Sequence, residues 1–410
     1  MKKASTNEKQ LKQRIRFSSL PSIAFVLSLW VDLEGSLWGQ GKTLPLQNIQ
    51  SMDEVKPAFE QRNVVIVFGC DDNYALYLGV CLLSLISNSS EDRNYDVWIL
   101  DGGISEDKRK NLFSLIQNRK NFSLRFFDIS RLVSDNKEKL RIYSRHVSLT
   151  IATYFRLFIP QIFSAYDRVI YLDCDMIINA DVGKLFSVDL EGKTIGAVGC
   201  AAQCSQSFQQ NAKSIRGDKW QSYFYPGVMV FDIKKAIDKN ITGRSLKFLA
   251  TIQNSKERFF EDQDALNSAC IDVKLLDKRW LLLVGRAKCS SKRLEDNYIV
   301  HYCRKPWREH THLDDVWWSY AAKTSFYLDI LAHNWKLIIK KMAIIQISYF
   351  LVSFEYRWFH KFLPEYEREL SITSKKKILL DLRKMAAYGH LKNFCFNYLR
   401  KYMKWFKFGK

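Results

Sequence analysis

The chain has 410 residues, 47% of them hydrophobic, enough to close one large domain or two around a sizeable core. No apolar segment reaches the roughly 18 to 20 residues that crossing a bilayer requires, so a spanning helix is excluded. Lys and Arg number 63 against 43 Asp and Glu, a net +20 that calls for an anionic partner: nucleic acid, an anionic membrane or a phosphorylated substrate.

Residues 1 to 61 are polar and weakly periodic apart from the apolar run Leu20 to Val31, and read as an N-terminal extension. That run has the length of a secretory signal core. A very polar start precedes it, however, and Asp32 and Glu34 follow without a small-residue cleavage site, so a secreted chain is not expected. Asn63 to Cys70 has the pattern of a buried strand, ended by Asp71-Asp72-Asn73 and followed by a helical apolar series from Tyr74 through Ile86. Tyr95 to Leu100 reads as a second strand, Ser105 to Asn118 as a helix and Ser123 to Phe127 as a third strand. Thr150 to Pro160 reads as an amphipathic helix carrying Arg156, and Ala165 to Leu172 as the strand that leads into Asp173-Cys174-Asp175.

Farther on, Tyr223 to Asp232 is another apolar strand, Glu261-Asp262-Gln263-Asp264 opens the helical run Ala265 to Cys270, and Tyr298 to His301 ends a short strand. Strands alternating with helices imply an α/β chain with a largely parallel sheet, on which ligands gather beyond the carboxyl ends of the strands. Asp71-Asp72 and the pair Asp173 and Asp175 fall at such ends. Residues i and i+2 of a strand share a face, so Asp173 and Asp175 can converge on one hard cation. The plainer alternative is a strand end and the start of a turn. Nine cysteines, several inside apolar segments (Cys70, Cys81, Cys174), indicate buried reduced thiols in a cytosolic protein.

From Trp335 to Lys410 there are 17 Lys and Arg against 5 Asp and Glu, a net +12 of the chain's +20. Aromatics interleave these cations, as in Tyr356-Arg357-Trp358-Phe359 and Lys404-Trp405-Phe406-Lys407. Rings among cations suit an anionic membrane surface; a helical subdomain with solvated lysines is the alternative. No nucleic-acid module is recognisable, so nucleic acid is not expected as partner.

Several motifs recur in order: Phe68-Gly69-Cys70-Asp71-Asp72-Asn73-Tyr74, Thr153-Tyr154-Phe155-Arg156-Leu157, Tyr171-Leu172-Asp173-Cys174-Asp175, Glu261-Asp262-Gln263-Asp264, and His301-Tyr302-Cys303 with Lys305-Pro306-Trp307. Together, from about Val64 to Trp307, they resemble glycosyltransferase family 8, the retaining, metal-dependent sugar-nucleotide transferases that include bacterial lipopolysaccharide and lipooligosaccharide galactosyl- and glucosyltransferases. The resemblance implies a GT-A fold, a Rossmann-like nucleotide-binding α/β domain with a mixed sheet over residues 62–310. A helical, basic and aromatic membrane-associating region would follow over 311–410.

By motif position, Gly69, Asp71 and Asn73 look like the residues that hold the uracil and ribose of a UDP-sugar, and Asp173, Asp175 and His301 like a metal triad for Mn²⁺, with Mg²⁺ possible. Arg156, Asp262 and Gln263 occupy donor-sugar positions, with Asp264 or a neighbour as candidate nucleophile if retention runs through a covalent intermediate. Asp173 and Gly227 also belong to the expected donor site, and Lys305 lies where the family meets the phosphates. Two departures stand out. Tyr225-Pro226-Gly227 replaces an Asn, a small residue and Gly, and Arg304 alone separates His301-Tyr302-Cys303 from Lys305. The resemblance implies a cytoplasmic enzyme, peripheral on the inner face of the cell membrane, that moves galactose or glucose from UDP to a lipid-linked oligosaccharide. A metal-dependent nucleotidyltransferase, or a silent glycan- or nucleotide-binding protein on the same fold, are the alternatives.

Overall fold

The computed structural model describes residues 47–140, 150–200, 205–253, 260–284, 296–303 and 314–333. The chain divides into two compact units, Met1–Pro306 with Thr311–Phe326, and Trp307–His310 with Tyr327–Lys410. Both sheets and the candidate site belong to the first. The basic, aromatic segment from Trp335 onward, the apolar run Leu20 to Val31, Arg304 and Lys305 lie outside the described residues.

In chain order the strands are β1 (Gln47–Ile49), β2 (Asn63–Cys70), β3 (Asn94–Asp101), β4 (Phe122–Asp128), β5 (Arg168–Leu172), β6 (Met176–Ile178), β7 (Ile195–Gly199), β8 (Phe224–Asp232), β9 (Val273–Leu275), β10 (Leu282–Val284) and β11 (Ile299–Tyr302). Eight of them form one sheet in the order β1-β4-β3-β2-β5-β8-β7-β9, and the other three a small sheet, β10-β11-β6. The run from β1 to β5 is parallel. β8 then enters antiparallel to both β5 and β7. The large sheet is therefore largely parallel, as the strand and helix alternation suggests, and mixed through β8, as the family resemblance implies.

β2 is a Val, Ile and Phe run buried almost throughout, the pattern of a strand covered on both faces. Its helix, Ala75–Ser87, starts where the Asp71 carboxylate accepts the Tyr74 N–H at 3.0 Å and the Asp71 carbonyl accepts the Ala75 N–H at 3.1 Å. The chain lays β3 and β4 on one side of β2 and then crosses to lay β5 on the other. That reversal opens a crevice beyond the carboxyl ends of β2 and β5, where α/β sheets bind ligands.

Within the stretch that reads as an N-terminal extension, Gln47–Ile49 joins this sheet. β1 pairs with β4 at its edge. A buried Arg125–Asp96 ion pair anchors the segment between β1 and β2: Arg125 donates to the Lys56 carbonyl at 2.8 Å, and Asp96 accepts the Ala58 N–H at 3.2 Å. Short strands and isolated polar contacts carry no periodicity, so nothing in the sequence signals them. Among the described residues no helix is long and apolar enough to cross a membrane. Of the described cysteines, Cys70, Cys81, Cys174, Cys200 and Cys270 are buried and Cys303 is exposed, and none is in a disulfide.

Candidate active site

Asp173-Cys174-Asp175 is the link between the two sheets, leaving β5 at Leu172 and entering β6 at Met176. The carboxylates converge through this bend, not through the alternation of a strand. β11 runs antiparallel to β6 with His301 opposite Met176, which sets its imidazole over the link. The His301 Nε2 and Asp175 Oδ1 atoms are 2.9 Å apart and both residues are buried. One ligand atom from each of Asp173, Asp175 and His301 lies within 4.8 Å of the others. His301 Nδ1 is buried without a hydrogen-bond partner among the described residues, a polar atom that costs about 1–3 kcal/mol unless something satisfies it. Two hard carboxylate oxygens and one imidazole fit a divalent cation of the Mn²⁺ or Mg²⁺ type.

Arg156 is the hub beside this triad. The sequence places it on an amphipathic α-helix; the structure holds it on a 3₁₀ helix, Ile151–Phe158, that is nearly all buried. Its guanidinium meets Asp173 Oδ1 at 2.8 Å and Asp262 Oδ2 at 3.3 Å, donates to the Pro226 and Thr153 carbonyls, and lies over the Tyr171 ring. Burial opposes its charge, but the Asp173 carboxylate and then its other neighbours outweigh that and hold it above its usual value. Tyr171 donates its hydroxyl to the same Asp173 oxygen at 3.0 Å.

The helix Glu261–Ala269 carries Asp262, Gln263 and Asp264, and helical geometry turns residues two apart to opposite sides. Asp262 faces Arg156 and accepts from the Thr153 hydroxyl at 3.0 Å. Asp264 is fully buried elsewhere, accepting from the Tyr223 hydroxyl, from Asn211 at 3.1 Å and from the Phe260 N–H at 2.6 Å. Gln263 donates to Tyr223 at 3.2 Å. Of these three side chains, the structure brings Asp262 to the triad and sets Asp264 in a separate polar knot. Glu261, which opens the helix, has φ of 38°, a left-handed conformation that a non-glycine residue adopts under strain.

Burial pushes Asp262 up to about 6, with Arg156 pulling it down and Asp173 pushing it up. A carboxylate whose folded value lies above its unfolded one favours the folded state at low pH, and that stability is lost as pH rises from about 4 through about 6. At about 1.4 kcal/mol per unit the contribution reaches about 3 kcal/mol. Denaturant titrations between pH 4 and 7 should show a smaller fall in stability for Asp262→Asn than for the wild type. Parallel curves would remove the assignment.

At the end of β2, Gly69 packs its bare Cα against the 3₁₀ helix: a Cβ there would stand 3.2 Å from Phe155 Cβ and 3.3 Å from the Ala152 carbonyl. Asp71 caps the following helix, Asn73 is exposed at the crevice, and Asp72 turns to Lys108. On the far wall the β7–β8 register jumps, with Ala197 opposite Met229 but Val198 opposite Tyr225. Pro226, Gly227 and Val228 therefore bulge from β7, which is where a proline inside a strand is tolerated. The Gly227 carbonyl accepts the Asp173 N–H at 3.0 Å. A Cβ on Gly227 would stand 2.6 Å from both Asp173 Oδ2 and Tyr225 Cε1. Gly227→Ala should lower the affinity of the candidate site for a divalent cation about 10- to 100-fold in a calorimetric titration, by analogy with lost support around metal ligands, and unchanged affinity would refute the contact.

Thr153, Tyr171 and Tyr225 lie beside these residues; the sequence places the first two inside the ordered motifs and the third at a departure from the family pattern, without giving them their contacts. Only the proline in an apolar strand signals the bulge that presents Tyr225.

The pattern of glycosyl transferase family 8 matches residues 65–311. The chain is similar to general stress protein A of Bacillus subtilis (strain 168), 30% identical over 281 residues that cover 64% of this chain and 94% of that protein. It is also similar to a lipopolysaccharide 1,2-glucosyltransferase of Escherichia coli (strain K12), 25% identical over 287 residues that cover 66% and 78% of the two chains. Among solved structures, galactosyltransferase LgtC in complex with donor and acceptor sugar analogues matches with a TM-score of 0.53 at 23% identity, over 64% of this chain and 96% of that one. That likeness is one of fold, the GT-A architecture with its mixed sheet.

Proposed function

This chain belongs to glycosyl transferase family 8, and from that premise we propose that it moves a hexosyl group, galactose or glucose, from a UDP-sugar to a lipid-linked oligosaccharide with retention of anomeric configuration. The observation that carries the reading is the convergence of Asp173, Asp175 and His301 within 4.8 Å at the sheet's crevice, with Arg156 ion-paired to Asp173 beside them. These three side chains would hold a divalent cation, Mn²⁺ or Mg²⁺, which when bound neutralises charge on a diphosphate leaving group.

Gly69, Asp71 and Asn73, at the end of β2, take the nucleoside. Asp71 supplies an acceptor for a base N–H, and Asn73 an amide that serves as donor or acceptor. Arg156 orients Asp173 and Asp262, and Asp262 accepts hydrogen bonds from hexose hydroxyls. Lys305, outside the described residues, is assigned to the phosphates on the family resemblance alone. Asp264, enclosed by three donors, offers no free carboxylate to attack the anomeric carbon. Its enclosure supports attack by the acceptor on the face the diphosphate leaves, with the acceptor proton passing to a diphosphate oxygen and no dedicated base.

The lipopolysaccharide-core type of acceptor is suggested by the Escherichia coli relative. The net +12 between Trp335 and Lys410, interleaved with aromatics, supports attachment to the anionic inner face of the cell membrane.

A panel of UDP-sugars tested for hydrolysis with and without Mn²⁺ names the donor without the acceptor. Metal-dependent UDP release from UDP-galactose or UDP-glucose is expected. Release of pyrophosphate from a nucleoside triphosphate instead would replace the proposal with nucleotidyl transfer. Co-sedimentation with anionic but not zwitterionic vesicles is expected of the full chain, and its absence would remove the membrane attachment.

A further inference from the structure

Arg216 ends the helix Gln206–Arg216 and is buried, with no carboxylate ion-paired to it among the described residues. Its guanidinium meets instead the far end of the helix Glu261–Ala269, whose first turn carries Asp262. Nη1 donates to the Asn267 carbonyl at 2.9 Å and to the Cys270 carbonyl at 2.7 Å, and Nη2 donates to the Ile271 carbonyl at 2.7 Å and to Ser222 Oγ at 2.9 Å. The last carbonyls of a helix have no partner within it, and the negative end of its dipole favours a cation. Burial lowers the pKa of Arg216 from its usual value, yet a guanidinium stays protonated in a protein, so these carbonyls hold a full charge.

Nη1 also lies 3.4 Å from the side-chain oxygen of Asn267, a fully buried residue that locks two elements together. The Asn267 amide donates to the Gln263 carbonyl at 2.8 Å and to the Phe224 carbonyl at 2.9 Å, and its oxygen accepts the Phe224 N–H at 2.9 Å. Phe224 opens β8 just ahead of Pro226, whose carbonyl accepts from Arg156, and Asp262 on the same helix as Asn267 meets that same Arg156. One path of hydrogen bonds thus runs from Arg216 through Asn267 to the two elements that Arg156 joins. Among the described residues, neither Arg216 nor Asn267 bonds to β2, to the Asp173–Asp175 link or to β11, which carry the nucleoside residues and the triad.

We propose that Arg216 is a positioning residue for the hexosyl half of the donor: by holding the end of the helix Glu261–Ala269 and, through Asn267, the start of β8, it fixes where Asp262 stands against Arg156. The inference rests on the sugar-transfer reading and deepens it. Arg216 touches neither substrate nor metal. Because its bonds reach one wall of the crevice and not the other, its loss separates hexose from nucleotide: Asp262 shifts, while the nucleoside residues and the triad keep their places.

The test compares full-length wild type with Arg216→Met, which removes the charge and every donor, and with Arg216→Lys, which keeps the charge but not the planar fork. Mn²⁺-dependent UDP-hexose hydrolysis gives kcat and KM, calorimetry with Mn²⁺ present gives affinities for UDP and for the UDP-hexose, and circular dichroism reports folding. Arg216→Met is expected to lower kcat/KM about 10- to 100-fold, as a small misplacement beside the substrate does, and to weaken binding of the UDP-hexose while UDP affinity stays within about twofold of wild type. Arg216→Lys is expected to recover part of both losses. Equal weakening of UDP and UDP-hexose, the mark of a merely structural role, or a folded Arg216→Met enzyme whose kcat/KM is unchanged, overturns the inference and leaves the sugar-transfer reading standing. Should Arg216→Met not fold, Arg216→Lys carries the same comparison and the same two outcomes overturn the inference. A wild-type chain that binds no UDP-sugar overturns the proposed function and this inference with it.

Discussion

Asp175→Ala is expected to lower metal-dependent UDP release by about 10³-fold or more, a loss of about 4 kcal/mol in transition-state stabilisation. Asp175 lies 4% exposed at the link between the two sheets, its carboxylate against His301 Nε2 at 2.9 Å. The substitution removes one of the three proposed ligands and leaves Asp173 and His301, too few hard donors to compete with water for a divalent cation. Stability should change far less than activity. His301 Nε2 loses its partner, at about 1–3 kcal/mol, but a buried carboxylate that carried its own desolvation penalty is removed as well. Manganese binding followed by electron paramagnetic resonance, alongside turnover, separates the two effects. Turnover within tenfold of wild type would end the metal assignment.

The second large effect belongs to Arg156→Met. The methionine keeps much of the volume but leaves the carboxylates of Asp173 and Asp262 without their common counter-charge, and the carbonyls of Pro226 and Thr153 without a donor. Removing one partner of a buried ion pair costs about 3–5 kcal/mol. The loss should depend on pH in a defined direction. Asp262 already sits at about 6 with Arg156 in place, and without that charge it is driven higher. The variant then takes up a proton near neutrality, and its deficit shrinks as pH falls toward 5. Unfolding in urea at pH 5 and 7.5 checks both size and sign; a loss below about 1 kcal/mol, or one equal at the two pH values, would contradict the buried hub. Turnover should fall about 10²-fold or more, because Asp173 and Asp262 no longer hold their places.

The strands that are legible in the sequence share one property: each is a run of buried apolar residues long enough to show its own pattern. β2 is legible at its observed bounds, and β3, β4, β5 and β8 within a few residues of them. β6, β9 and β10 have three residues each and are not legible, since so few positions carry no period. β6 nevertheless matters most to the site, because its pairing with β11 brings His301 to Asp173 and Asp175. The helix at Glu261 shows a different limit. Its periodicity alone puts Asp262 and Asp264 on opposite sides, but which side meets Arg156 depends on packing against the 3₁₀ helix and on Tyr223, Asn211 and Phe260.

Local composition thus determined the alternating architecture and the acidic strand ends at Asp71 and Asp173, because those properties reside in short stretches of chain; the side chains proposed to hold a cation or a nucleotide were named by the resemblance of the ordered motifs to the family. Tertiary structure alone decided that the aspartates converge through a bend between two sheets, that Arg156 is a buried hub, and that a bulge in β8 sets the Tyr225 ring against His301. Each of these depends on contacts between residues far apart in sequence, whose energies arise only when the sheet closes and water is excluded from the charges.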